Sequence, residues 1–173
     1  MLRIVLPLCL TLAACGAQTV PLLQAPSQQQ VVPRSGLPLE VHTSSMRGQD
    51  PAVHGSSFVF SDVEQAIGRA VTAATAPWAE AHRGGRAGGW QLLVEFIRSQ
   101  SRVEDGRLHV EFGVRATLYG VVGRVYLGQT QANCHSSGAA TDANAAGELA
   151  WQCITGLGHD LAGWLQGLPI EEK

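Results

Sequence analysis

The sequence has no basic surplus. Charged residues make up 15% of its 173 positions, the formal net charge is −2, and the 12 Lys and Arg are spread thinly. A nucleic-acid interface asks for a basic stripe, so no nucleic-acid partner is expected. The short catalytic signatures are missing as well: there is no His-Glu-x-x-His pair, no Gly-x-Ser-x-Gly elbow and no phosphate loop. His54-Gly55-Ser56-Ser57 places a serine among small residues but lacks the strand-turn-helix setting of a nucleophile, and reads as a loop. The stretch from Arg83 to Gly89 is glycine-rich and carries Arg83 and Arg86, yet it runs from helix to strand. A phosphate cradle needs the opposite order, so this is a flexible connection. The expectation is a protein that is not an enzyme, with no catalytic residue, no metal and no cofactor.

Long hydrophobic runs are absent too. The longest opens the chain, from Ile4 to Ala14 behind the single charge of Arg3. A membrane-crossing helix needs roughly 20 apolar residues, so this run is too short. It fits the apolar core of a secretory signal spanning residues 1–14. Leu12-Ala13-Ala14-Cys15 resembles the lipobox of bacterial lipoproteins. That resemblance implies a diacylglyceryl thioether on Cys15, cleavage before it and acylation of the new N-terminus; an ordinary cleaved signal with an incidental cysteine is the alternative. Gly16 stands where an Asp would resemble an inner-membrane retention signal, which favours the outer membrane, facing the periplasm. The partner of Cys15 is then membrane lipid, held durably because several acyl chains share one residue. Residues 15–36, with Gln28-Gln29-Gln30 and prolines 21, 26 and 33, read as a flexible tether.

Cysteines are few. Of the four, Cys9 leaves with the signal and Cys15 is the lipid site, so Cys134 and Cys153 remain as an even pair in an oxidising compartment. A disulfide between them is the natural reading. Two buried free thiols are an alternative, since cysteine packs as a small apolar residue. So is a zinc site from Cys134, His135, Cys153 and His159, although their spacing matches no usual ligand pair.

Residues 37–173 read as one domain. Leu37, Leu39, Val41 and Thr43 alternate as a first strand, and Ser44 to Ser57 is irregular. Ser61-Asp62-Val63-Glu64 has the pattern of a capping box, opening a helix that buries Val63, Ile67, Ala70, Val71 and Ala74. Pro77 should kink or end that helix, with Trp78 closing the core. Trp90 to Val103 and Arg107 to Tyr119 form a hairpin. A three-residue Glu104-Asp105-Gly106 loop sets Phe96 opposite Val114, Leu92 opposite Leu118 and Glu95 opposite Arg115; a two-residue turn would exchange the faces. Val125 to Cys134 makes a further strand, Ser136 to Asn144 a loop, and Ala145 to Leu168 a long helix. Its glycines (147, 156, 158, 163 and 167) each cost about 1 kcal/mol relative to alanine, which close backbone packing would offset.

The fold class expected is α+β: a two-layer sandwich of an antiparallel sheet of about four strands with two amphipathic helices on one face. The lipobox, the tether, the pattern of Trp90–Phe96 and Leu108–Leu118 and the C-terminal helix together resemble the ABC-type transport auxiliary lipoproteins, the PqiC-like family. The resemblance implies a non-catalytic envelope lipoprotein whose partners are envelope transport proteins of an ABC-linked lipid-transport system. Its working surface would be the open sheet face or an edge, with Glu95, His109, Arg115 and Tyr119 as candidate contacts. The alternative is a small lipid- or ligand-binding lipoprotein with a pocket between helices and sheet, lined by Trp78, Trp90 and Trp164.

Overall fold

A computed structural model of the chain describes residues 18–24, 39–45, 58–83 and 89–170. Residues 1–17 with the signal and Cys15, residues 25–38 with most of the expected tether, and residues 46–57, 84–88 and 171–173 lie outside that description. The elements are β1 (Gln18–Pro21), β2 (Leu39–Ser45), β3 (Phe58–Ser61), α1 (Val63–Ala81), β4 (Trp90–Glu104), β5 (Arg107–Gly120), β6 (Val125–Gly138) and α2 (Ala143–Gln166). Short 3-10 turns cover Leu22–Gln24 and Val122–Arg124.

The period of two along β5 builds the centre of the fold. Leu108, Val110, Phe112, Val114, Ala116 and Leu118 all point into one core, none more than 2% exposed. The main sheet has the order β2-β4-β5-β6, with α1 and α2 packed together on its apolar side. This is the expected two-layer α+β sandwich, with one correction: β2 runs parallel to β4, Leu39 opposite Trp90 and Ser45 opposite Phe96, so the sheet is mixed. The cause is the crossover through α1, since a strand-helix-strand unit returns the chain to the end at which it started.

The hairpin register matches the expectation, but by another route. Phe96 lies opposite Val114, Leu92 opposite Leu118 and Glu95 opposite Arg115. The turn, however, has two residues, Asp105 (φ 51°) and Gly106 (φ 72°), between the paired Glu104 and Arg107. Two successive positive φ values are the turn geometry that follows strand twist best. A bulge between Phe96 and Arg98 supplies the missing slip, so the strand changes inward parity there, from Phe96 to Ser101.

Part of the expected tether belongs to the domain. β1 pairs in parallel with β3 in a small second sheet, Gln18 opposite Phe58 and Pro21 opposite Ser61. Val20 and Leu22 are buried, and Trp151 Nε1 of α2 donates to the Leu22 carbonyl at 2.9 Å. Phe60 of β3 reaches the main sheet edge-on to Phe112, ring centroids 6.1 Å apart. The expected capping box does not form: Asp62 (φ 61°) is the N-cap of α1 without a side-chain cap bond, and the Ser61 hydroxyl donates to the Asp62 carboxylate instead. Pro77 does not end α1, which continues to Ala81.

The α2 helix begins two residues earlier than expected, at Ala143, where the Asp142 carboxylate accepts from the Ala145 N–H at 2.9 Å. Strand β6 correspondingly extends to Gly138, taking residues expected in a loop. Cys134 on β6 and the buried Cys153 on α2 form a disulfide, with Cα atoms 5.1 Å apart. That bond uses both thiols and leaves no zinc site of the kind weighed above. The helix glycines differ in what surrounds them. A Cβ on Gly158 would lie 2.9 Å from the Ala70 carbonyl oxygen of α1, so this glycine sets the helix–helix approach. Gly156 and Gly163 face open space, and nothing in the structure explains them. Gly158→Ala should therefore cost about 1–3 kcal/mol by overpacking. Gly156→Ala should instead gain up to about 1 kcal/mol from helix propensity. Thermal melts of the two variants, moving in opposite directions, check this.

Candidate functional site

The helices and the small second sheet occupy one face of the main sheet, so the other face is open among the described residues. The alternation that buries β5 leucines and valines turns Arg107, His109, Glu111, Arg115, Thr117 and Tyr119 to this open side. All four expected contact residues lie on it, or on the facing side of β4. Arg115 Nη1 is 3.8 Å from Glu95 Oε2, each about one third exposed. Arg98 Nη1 is 3.1 Å from Glu111 Oε1. Nearer the hairpin turn, His109 Nδ1 and His135 Nε2 are 3.3 Å apart. At the other end Tyr119 meets Tyr126 edge-on, ring centroids 6.1 Å apart.

This surface is polar and internally matched. Each open-face carboxylate of β4 and β5 just named has an arginine beside it, and no pair of carboxylates faces a shared space where one would hold a proton for the other. The arrangement is an extended, hydrogen-bonding surface. Half-buried, solvent-screened pairs at such a spacing contribute little to stability, about 1 kcal/mol or less. Arg115→Ala should thus leave the melting temperature nearly unchanged, while weakening any partner that lies across the open face, as read by pull-down.

The sequence points to an edge as the alternative working surface, and the structure says which strand forms it. β6 is an edge strand of 14 residues with no partner on its outer side among the described residues. From Val125 to Gly138 it contains no Lys, Arg, Asp, Glu or Pro. Edge strands are ordinarily protected by such residues against pairing with other chains. The stretch from Gln129 to Ser137, mostly Gln, Thr, Asn and Ser and without Lys, Arg, Asp, Glu or Pro, is the sequence signal for it. Four apolar side chains stand exposed at the start of this strand: Val121, Val122, Val125 and Tyr126.

Of the three tryptophans expected to line a pocket, Trp164 is half-buried beside Gly128 of β6, and the other two lie in the core. Trp78 and Trp90 are buried and pack edge-on at 5.9 Å, and Trp78 Nε1 donates to the Leu165 carbonyl at 3.0 Å. Both rings belong to the packed core between helices and sheet.

No family model and no curated protein matches the chain. Solved structures do. A Xanthomonas campestris protein of the family DUF330 superposes with a TM-score of 0.51 at 14% identity, over 73% of this chain and 81% of that one. The likeness is one of fold. A Caulobacter crescentus protein described as a candidate lipoprotein aligns at 0.46 and 17% identity, over 73% of this chain and 91% of that one. A Chlamydia trachomatis protein aligns at 0.38 and 10% identity, over 75% and 94%.

Proposed function

We propose that the protein is a non-catalytic, lipid-anchored lipoprotein of the bacterial envelope that works through protein–protein contacts. In the finer reading it is an outer-membrane component, facing the periplasm, that assists an ABC-linked lipid-transport system. The uncharged edge strand β6 carries this reading, because an edge without charge or proline accepts an added strand through its main chain. The polar, self-paired open face beside it provides side-chain specificity. The lipobox at Leu12–Cys15 gives the anchor, and the Cys134–Cys153 bond suits a chain that matures in an oxidising compartment. The filled interior around Trp78 and Trp90 speaks against the lipid-pocket alternative.

The test is photo-cross-linking in living bacteria. A cross-linker at Gln131 on β6 should capture an envelope transport protein, whereas one at the exposed Arg69 of α1 should not. Equal yields at both positions, or capture of no transport component at Gln131, would overturn the reading.

A further inference from the structure

The strand β1 changes what the anchor does. The first described residue, Gln18, is three residues after Cys15, and by Val20 the chain is already buried. Three residues span at most about 11 Å in any conformation. A lipid on Cys15 is therefore tied directly to the folded domain, with no long leash between them.

The point of entry is at one end of the molecule. Gln18 is the register partner of Phe58, whose carbonyl accepts from Ser101 Oγ at 3.3 Å. Ser101 pairs with Val110, close to the Asp105–Gly106 turn of the hairpin. From Val110 to Gly120 the strand β5 rises about 33 Å at ~3.3 Å per residue, and the exposed Val121, Val122, Val125 and Tyr126 lie beyond it. Gln18, three residues from the anchor, and this apolar group therefore lie toward opposite ends of the domain.

We infer that the tip of the β4–β5 hairpin is a membrane-contacting element, seated on the phospholipid surface that holds Cys15, with the valine-bearing end projecting away from it. The inference rests on the lipoprotein reading and adds an orientation to it. The tip is suited to a headgroup layer: Val103 is exposed, and Arg102 and Arg107 flank the turn with long stems that can lie along apolar surface. Arg102 pairs with Glu104 at 3.2 Å, and Arg107 donates to the Ser137 carbonyl at 3.4 Å. Arg102 and Arg107 balance Glu104 and Asp105, so the covalent tie, not charge, sets the placement.

The test uses the full-length, lipidated protein in vesicles of phosphatidylethanolamine and phosphatidylglycerol that carry an acceptor dye on the headgroups. A donor dye is attached at Asp105→Cys in one preparation and at Val122→Cys in another. Energy transfer should be at least several-fold stronger from position 105, should stay so in high salt, and should even out when a long Gly-Ser segment is inserted between Ala17 and Gln18. Equal or reversed transfer from a protein whose mass shows acylated Cys15 would overturn the orientation alone. A mass without acyl chains on Cys15 would overturn the lipoprotein reading and the orientation with it.

Discussion

Phe112→Ala should lower stability by about 3–5 kcal/mol, the usual cost of emptying a fully buried aromatic site. For a chain of this size that is a fall of roughly 6–20 °C in melting temperature. Phe112 has no exposed surface and stands where three parts of the fold meet. It touches Phe60 of the second sheet edge-on and lies 6.3 Å, ring to ring, from Phe96 on the neighbouring strand. The backbone of Cys134 is its register partner on β6. Truncation leaves a cavity that none of these neighbours can fill, because Phe60 and Phe96 are each fixed by their own strands. The effect should exceed that of Phe112→Leu, which keeps most of the volume, and calorimetry of the two variants separates cavity from chemistry.

Removing the disulfide should have the next largest effect. The bond closes a loop with a sequence separation of 19 between β6 and α2. In the chain-entropy picture a loop of this length restrains the unfolded state by about 3 kcal/mol. The Cys134→Ala, Cys153→Ala pair should therefore melt roughly 6–12 °C below the parent. Reductant should lower the parent toward the double variant and leave the double variant unmoved. Cys153 is 2% exposed, so reduction of the native protein should be slow and should accelerate near the melting transition.

Much of the main sheet was legible because its signal is local. The clean alternation of Leu108 through Leu118 admits one buried face, and the Glu95–Arg115 pairing follows once that face is set. The turn differs from the expected three-residue loop because a bulge at Ile97 and an extra loop residue produce the same register beyond them. The parallel sense of β2 had a signal that went unused: a strand, a helix and a strand in succession. The four residues of β1 gave none, for Gln18-Thr19-Val20-Pro21 sits in a Gln- and Pro-rich stretch and is a strand only because β3 and α2 cover it.

The candidate surface divides in the same way. Glu95, His109, Arg115 and Tyr119 were placed on the open face by parity alone, and they are there. An edge is among the expected surfaces, but not which one: what marks β6 is a lack of charge over 14 residues, which matters only once the strand is known to lie at the edge.

In the proposed function Cys15 is the residue that sets the compartment and the orientation of the domain. The intact mass of the mature protein, extracted with detergent from bacterial membranes, tests this most directly. The expected species begins at Cys15, carries a diacylglyceryl thioether and an N-terminal acyl chain, and retains the Cys134–Cys153 bond. A mature chain that starts elsewhere, or that begins at Cys15 with no lipid mass, would contradict it.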